Sequence, residues 1–252
     1  MLNQQTLEKM NAMKLHAMAD ALNEQVSSRA FASLTFEERM GLLVDTEFTA
    51  RENRKLTRRL RAAKMRYSAS VENIDFDAPR QLKRQHFLSL AGCAWVGERH
   101  NLIVCGPTGI GKSYICCALV ERACRRDFTA FYIRAPRLLH ELAVARVDGS
   151  YPRVLARLAK FDLLAIDDWL IAPLNDAERR DVMEVIEERA ERASTLVATQ
   201  LPIEDWHGSI GDPNHADAIC DRLLHNAHRI DLKGPSMRNT RTAPDTASTE
   251  QS

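Results

Sequence analysis

Residues 106–113 read Gly-Pro-Thr-Gly-Ile-Gly-Lys-Ser, which is the spacing of a phosphate-binding loop. An apolar, β-branched run from Asn101 to Cys105 precedes this loop, and a segment with apolar residues at helical spacing, Tyr114 to Arg125, follows it. In such a unit, glycines let the backbone approach phosphates, and the N-terminus of the helix attracts their negative charge. We therefore expect the chain to bind a nucleoside triphosphate.

The residue types in this loop predict specific contacts. Lys112 is expected to bridge the β- and γ-phosphates, and the Ser113 hydroxyl is expected to hold Mg²⁺. The predicted cofactors are therefore ATP and Mg²⁺. The sequence contains no Asn-Lys-x-Asp motif for reading guanine, which disfavours a GTPase. The residues expected to contact the nucleotide are Gly106, Pro107, Thr108, Gly109, Ile110, Gly111, Lys112, Ser113 and Tyr114.

A second apolar run, residues 161–166, ends in the acids Asp167 and Asp168. Asp167 is expected to orient Mg²⁺, directly or through water, and Asp168 to polarise the water that attacks the γ-phosphate. Alternatively, both acids cap a turn after a buried strand. The intact phosphate-binding loop favours the catalytic interpretation.

Three further residues are candidates for catalysis. Thr199, followed by Gln200, ends the next predicted strand and is a candidate sensor of the γ-phosphate; the alternative is a plain turn before Pro202. Arg222 lies near the end of the last predicted helix, where an arginine could reach the nucleotide of a neighbouring subunit, and Arg238 is a candidate for a second phosphate contact. The alternative for Arg222 is a solvated arginine on a helix surface.

Length and composition bound the domain organisation. With 252 residues, 45% apolar and 27% charged, the chain can form one α/β core and a smaller module. Residues 1–66 are predicted to form a helical N-terminal module for DNA binding and assembly. Residues 67–80 are predicted to be a linker, 81–238 the ATPase domain and 239–252 a disordered tail.

Each module has its own pattern. The N-terminal module is predicted to hold an amphipathic helix over 6–25 and a second helix that starts near Thr35, where Thr35 and Glu38 have capping-box spacing, and runs towards Arg66. In the ATPase domain, strands alternate with helices, which predicts an α/β fold with a doubly wound parallel sheet. The strands are predicted at 101–105, 128–133, 161–166, 195–199 and 229–232, and the helices from Gln81 towards the first strand and at 114–125, 136–146, 175–192 and 215–228.

Basic residues are concentrated in one segment, although the net charge of the chain is only +1. They are spread around the predicted helix, which suits contact with DNA phosphates rather than reading of bases, and a merely solvated helix face is the alternative. The candidate DNA-binding residues are Arg51, Arg54, Lys55, Arg58, Arg59, Arg61, Lys64 and Arg66.

The six cysteines show no Cys-x-x-Cys pair and no metal-ligand spacing, which indicates reduced thiols. No apolar run approaches the length of a membrane span, and the N-terminus lacks the apolar core of a signal peptide. We therefore expect a cytoplasmic protein without a membrane partner.

Several short motifs accompany the phosphate-binding loop. Together they resemble the IstB-like helper ATPases of insertion sequences, relatives of the DnaC and DnaA branch of the AAA+ ATPases. Asp168 stands where AAA+ proteins commonly have Glu, and Leu170 stands where a Gly often follows the aromatic residue. The motifs are Met13-Lys14-Leu15, Ile74-Asp75-Phe76-Asp77, Ile166-Asp167-Asp168-Trp169, Gln200-Leu201-Pro202, Asp205-Trp206-His207, Asp221-Arg222-Leu223 and Ser236-Met237-Arg238.

The resemblance implies an AAA+ core without a large C-terminal lid, preceded by a helical module. It implies a homo-oligomer that assembles with ATP on double-stranded DNA, largely without sequence specificity, and stimulates a cognate transposase. It also implies that Arg222 acts in trans and Arg238 in cis. Two alternatives stay open: a replicative helicase loader of the DnaC type, and a non-hydrolysing DNA-organising protein that ATP stabilises.

Overall fold

The computed structural model describes residues 4–237, so the candidate Arg238 and the tail predicted over 239–252 lie outside the described residues. The chain divides into two compact units between Arg58 and Arg59. That division lies inside the basic segment. The predicted module boundary at residue 66 stays a prediction.

The first unit is helical. Its helices are α1 (Gln4–Ala12), α2 (His16–Ser27) and α3 (Phe36–Ala63), the last of which continues past Arg58. The single helix predicted over 6–25 is wrong, because the chain turns at Lys14, whose φ is +60°. In that turn the Leu15 N–H donates to the carbonyl of Met10 at 2.8 Å, which ends α1 before α2 begins.

A reciprocal pair of hydrogen bonds starts α3, as the capping-box spacing predicts. The Thr35 hydroxyl accepts from the Glu38 N–H at 3.2 Å, and the Glu38 carboxylate accepts from the Thr35 N–H at 2.7 Å. The helix ends at Ala63, and Lys64 follows with φ +50°. The capping box confirms the predicted start of this helix near Thr35.

The second unit is built on five parallel strands in the order β2-β3-β4-β1-β5. The strand β4 separates β1, which leads into the phosphate-binding loop, from β3, which carries the two acids. The strands β1 to β4 are rich in buried aliphatic side chains, as expected for a sheet that is covered by helices on both faces. The strands are β1 (Asn101–Cys105), β2 (Ala130–Arg134), β3 (Leu163–Trp169), β4 (Ser194–Thr199) and β5 (Ala227–Asp231).

Helices connect these strands, so the predicted doubly wound α/β fold is confirmed. Two of the helices, α8 and α10, have no counterpart in the sequence-based prediction. The helices are α4 (Arg84–Ala91), α5 (Ala94–Gly97), α6 (Lys112–Arg125), α7 (Ala135–Asp148), α8 (Tyr151–Ala159), α9 (Asp176–Arg189), α10 (Trp206–Ile210) and α11 (Pro213–Leu224).

The segment that follows β5 runs across the phosphate-binding loop. The Leu232 N–H donates to the Cys105 carbonyl at 2.9 Å, and the Met237 N–H donates to the Gly109 carbonyl at 3.0 Å. Between them, the Lys233 N–H donates to the Arg80 carbonyl at 3.1 Å. The loop is therefore held by backbone hydrogen bonds from residues more than a hundred positions away.

All six cysteines are free thiols. Burial raises the pKa of Cys93, Cys105 and Cys124 to about 11, so these thiols stay protonated at neutral pH. Across residues 4–237 no helix is both long and apolar enough to span a bilayer.

Candidate nucleotide-binding site

The phosphate-binding loop adopts a conformation that depends on glycine. Gly109 and Gly111 have φ of +83° and +98°, values that side chains rarely tolerate. Gly111 lies directly before α6, so the first backbone N–H groups of that helix open into the loop. The arrangement is that of an anion-binding helix N-terminus.

Lys112 is held across this loop. Its Nζ donates to the carbonyls of Gly106 at 2.7 Å and Pro107 at 3.0 Å. Burial lowers the pKa of Lys112, while the nearby charges of Asp167 and Asp168 act in the opposite direction. The ammonium group is thus close to both acids and is bonded to neutral carbonyls that a phosphate can replace.

The two acids lie at a bulge in β3. Ile166 pairs with Val197 and Trp169 with Thr199, so one extra residue is accommodated in β3 relative to β4. Asp168 has φ of +55°, and Leu170, at the position where a glycine often occurs, has φ of +50°. The loop therefore keeps a left-handed conformation with a buried leucine in place of glycine.

Asp167 is 1% exposed and both of its carboxylate oxygens are hydrogen-bonded. The Tyr132 hydroxyl donates to Oδ2 at 2.5 Å, and the Asp168 N–H donates to Oδ1 at 2.9 Å. Burial and the neighbouring carboxylate raise the pKa of Tyr132 far above its usual value, so its hydroxyl stays a donor. Tyr132 thus fixes the orientation of Asp167, a role that the sequence did not reveal.

Asp168 forms an ion pair with Arg134, the last residue of β2. The Arg134 Nε donates to Oδ2 at 2.6 Å, and this bond raises the pKa of Arg134. In this conformation the Oδ2 atom of Asp168 is therefore paired with a cation. Arg134 ends the strand that pairs with β3, an adjacency that becomes visible only in the structure.

These residues surround one open cleft of about 1030 Å³, large enough for a nucleotide. Lys112, Ser113 and Tyr114 line it from α6, Thr108 from the loop, and Asp168 from β3. Three arginines that were not among the predicted nucleotide contacts also line it: Arg66, Arg80 and Arg134. The cleft thus presents several cationic side chains to a polyanionic ligand.

The donor set fits Mg²⁺ that is bound mainly through phosphates. Among residues 4–237 no three His, Cys, Asp or Glu side chains form a metal-binding cluster. Magnesium in phosphate sites needs one or two protein oxygens, and Ser113 and Asp167 are oxygen donors of this kind.

The end of β4 separates the two sensor candidates. Thr199 is fully buried, and its hydroxyl donates to the Trp169 carbonyl at 2.9 Å and accepts from the Leu201 N–H at 3.0 Å. Gln200 is exposed, lines the cleft and accepts a hydrogen bond from the Thr108 hydroxyl. The conformation therefore directs Gln200, and not Thr199, towards the ligand.

The Asp-Trp-His motif contacts the residue that follows the two acids of β3, and it is hydrogen-bonded to the Gln-Leu-Pro motif. Trp206 is fully buried and packs edge-on against Trp169, with 5.9 Å between the ring centroids. Its indole N–H donates to the Leu201 carbonyl at 3.2 Å. These motifs thus join the end of β4 to the bulge of β3.

Arg222 does not line the cleft. It lies on α11, forms an ion pair with Glu187 of α9 and donates to the Ala218 carbonyl at 3.0 Å. Its predicted contact with a neighbouring subunit stays a prediction. Arg238 lies outside the described residues, so its predicted role also stays a prediction.

Several side chains of the basic segment form ion pairs within the protein and are therefore less available to contact DNA than the sequence suggests. Arg51 and Arg54 both pair with Glu47, at 2.8 and 3.0 Å, and Lys55 pairs with Glu52 at 2.7 Å. Glu47 is 5% exposed and also accepts from the Met18 N–H at the start of α2. The hydrogen bond from Arg51 does most to lower the pKa of Glu47, to about 2.

The remaining candidates differ among themselves. Arg59 is paired with Asp127 at 2.5 Å, Lys64 lies over the Phe131 ring, and Arg66 lines the nucleotide cleft. Arg58 and Arg61 are exposed, and neither forms an ion pair within residues 4–237. These two are the most available for phosphate contact.

Comparison with known proteins agrees with this geometry. Residues 8–244 match the family model described as IstB-like ATP binding protein. An insertion-sequence ATP-binding protein of Sinorhizobium fredii, y4pL, is 47% identical over 94% of this chain and 97% of its own length. The crystal structure of DnaI has a TM-score of 0.55 at 18% identity, covering 66% of this chain and 91% of that one. AMPPCP-bound DnaA of Aquifex aeolicus has a TM-score of 0.56 at 14% identity, covering 69% and 53%.

Proposed function

The chain belongs to the IstB-like family of ATP-binding proteins, and from this premise we propose that it is a Mg²⁺-dependent ATPase that assembles on duplex DNA and stimulates a transposase. One observation carries the enzymatic part: Lys112 of the phosphate-binding loop and Asp168, the second of the paired acids of β3, line the same nucleotide-sized cleft. The names of the insertion-sequence relatives support the assignment to transposition.

The residues of the chain have distinct tasks in this proposal. Lys112 exchanges its two carbonyl partners for the β- and γ-phosphates. Ser113 and Asp167 hold Mg²⁺, which neutralises charge on the phosphates. Asp168 accepts the proton of the attacking water once Arg134 has released it. Gln200, in place of Thr199, positions that water or reads the γ-phosphate.

The test of the enzymatic part uses three variants. Lys112→Ala is expected to abolish ATP binding, whereas Asp168→Asn is expected to bind ATP and to lose turnover. Lys160→Ala, which removes an exposed lysine, serves as the control and is expected to behave as wild type. ATP binding that persists in Lys112→Ala would contradict the assignment.

The role proposed for Arg222 requires its ion pair with Glu187 to open at a subunit contact. Arg222→Ala is expected to keep ATP binding and lose most turnover, since an arginine supplied in trans contributes roughly 10³–10⁵ in rate. Glu187→Gln, which frees the arginine, is expected to retain turnover. Equal turnover in Arg222→Ala and wild type would remove this role.

DNA contact is assigned chiefly to Arg58 and Arg61. The double variant Arg58→Ala/Arg61→Ala is expected to weaken duplex binding and to reduce the salt slope of log K by about two, with ATP binding unchanged. The matched control is Arg153→Ala/Arg180→Ala, which removes two exposed arginines elsewhere. DNA binding that is indifferent to ATP and to Lys112→Ala would defeat the coupled mechanism.

Stimulation of the transposase is tested last, because in this proposal it depends on ATP binding and on DNA binding. Strand-transfer assays with the cognate transposase are expected to show stimulation by wild type and none by Lys112→Ala. Stimulation without nucleotide would separate the partner function from ATP binding.

A further inference from the structure

Arg80 is a buried arginine at the edge of the nucleotide cleft. Arg80 is 3% exposed and is the last residue of the linker predicted over residues 67–80. Arginine is rarely buried to this degree without a carboxylate or phosphate partner, because removing a cation from water is costly.

The partners of Arg80 within residues 4–237 are neutral. One guanidinium nitrogen donates to the Asp75 carbonyl at 2.7 Å, and the other to the sulfur of Met237 at 3.5 Å. The Nε–H is buried and has no hydrogen-bond partner in the described part of the chain. The carboxylate of Asp75 is bonded instead to the N–H groups of Asp77 and Ala78, at 2.9 and 3.1 Å.

The guanidinium lies beside the phosphate-binding loop. A Cβ added to Gly111 would come within 2.7 Å of one Arg80 nitrogen, so the cation is packed against the residue that immediately precedes α6. Arg80 and Lys112 both line the cleft. The charge of Asp75 acts on Arg80, but the hydrogen bonds of the guanidinium go to neutral groups. A buried cation bonded in this way, next to a helix N-terminus that attracts anions, can accept a phosphate as its charged partner.

We propose that Arg80 is a further phosphate ligand of the bound nucleotide, supplied to the loop from the segment that precedes α4. This inference rests on the proposed nucleotide binding. Arg80 adds a second cation to Lys112, and its planar group can donate to two phosphate oxygens where Lys112 provides a point charge. Because the Arg80 carbonyl also accepts from Lys233, the phosphates are thereby linked to the segment that crosses the loop.

The experiment compares Arg80→Met with Arg84→Met, which removes an exposed arginine four positions later. Binding of ATP, ADP and inorganic tripolyphosphate is measured by calorimetry on the full chain. Arg80→Met is expected to weaken all three ligands by about 10- to 100-fold, the usual effect of losing hydrogen bonds to a charged group. Arg84→Met is expected to bind all three as wild type.

Three outcomes overturn the inference. Unchanged affinity in Arg80→Met means that Arg80 only packs against the loop. A loss for ATP and ADP without a loss for tripolyphosphate means that Arg80 contacts the nucleoside and not the phosphates. If Arg80→Met does not fold, Arg80→Gln decides, because it keeps a hydrogen-bond donor but removes the charge. Affinity for tripolyphosphate equal to wild type then refutes the assignment.

The same measurements separate this inference from the proposed function. If wild type binds ATP and Lys112→Ala does not, nucleotide binding stands whatever Arg80→Met does. If wild type binds neither ATP nor tripolyphosphate, the proposed function fails first.

Discussion

Replacing Tyr132 with phenylalanine tests how the site holds Asp167. The substitution removes one hydroxyl and keeps the ring in the sheet, where the residue is 5% exposed. It leaves the Oδ2 of a buried carboxylate without its 2.5 Å donor, while the Asp168 N–H still serves Oδ1. A hydrogen bond to a charged group contributes about 1.5–3 kcal/mol, so Tyr132→Phe is expected to lose that much stability.

The loss is measured by thermal unfolding. For a unit of this size, each kcal/mol shifts the midpoint by about 2–4 °C, so we expect a fall of about 3–12 °C. The transition that belongs to the nucleotide-binding unit is identified by its shift with Mg²⁺ and ATP. In ATPase assays, the Mg²⁺ concentration for half-maximal turnover is expected to rise about tenfold, as when the hydrogen-bond partner of a metal ligand is removed.

The matched control is Tyr151→Phe. Its hydroxyl donates to Asp181 at 3.0 Å, away from the cleft, and Asp181 keeps its ion pair with Arg146 at 2.5 Å. This variant also loses a hydrogen bond to a carboxylate, so it is expected to lose a similar amount of stability, roughly 1.5–3 kcal/mol, but to need the same Mg²⁺ as wild type. If Tyr132→Phe unfolds at the wild-type temperature and needs no more Mg²⁺, the hydroxyl neither satisfies nor orients Asp167, and the reasoning is refuted.

Three further predictions follow from contacts described above. Arg134→Gln is expected to raise DNA-free turnover at saturating ATP about fivefold, because a pair between partly exposed groups is worth about 1 kcal/mol and Asp168 is then released; steady-state ATPase assays check this, and a fall in turnover contradicts it. Because the pKa of Glu47 is lowered to about 2 in the fold, its stabilisation is present above its ordinary pKa of 4.5 and is lost as the pH falls from 4.5 towards 2. The stability difference between wild type and Glu47→Gln, measured by denaturant unfolding, should therefore shrink over that range, and a constant difference contradicts it. Thr35→Ala is expected to destabilise α3 by about 1 kcal/mol, measured by thermal loss of helical circular dichroism, with ATP affinity unchanged.

The parts of the fold that depend on local patterns were predictable from the sequence. The buried aliphatic runs of β1, β3 and β4 and the glycine spacing of the loop each reflect a local physical requirement, and all three strands lie close to their predicted positions. The helix α8 was missed because it is only nine residues long, carries Pro152 in its first turn and follows Gly149 and Ser150 directly, and Gly, Ser and Pro are typical of loops. The break between α1 and α2 was missed because the residue with the left-handed backbone is Lys14 and not a glycine, which would have indicated a turn.

The residues of the site that belong to a sequence motif could be predicted. Those that reach the site only through the orientation of their side chains in the fold could not. The end of β4 is readable as a sensor position, but whether Thr199 or Gln200 faces the ligand depends on the strand ending. Tyr132 and Arg134 are distant in sequence from the two acids that they contact, and Arg80 is distant from Gly111. No spacing rule therefore relates them to the motifs. In the basic segment, charge counting could not reveal that Glu47 neutralises two of the arginines.

The bulge in β3 bears on the proposed joint role of two adjacent acids. Consecutive side chains of a regular strand point to opposite faces of the sheet, so an acid pair on an unbroken strand would be split between them. Here the extra residue and the left-handed backbone of Asp168 remove that alternation at the point of need. Transplanting the dipeptide alone into another parallel strand should therefore place its two carboxylates on opposite faces of that sheet.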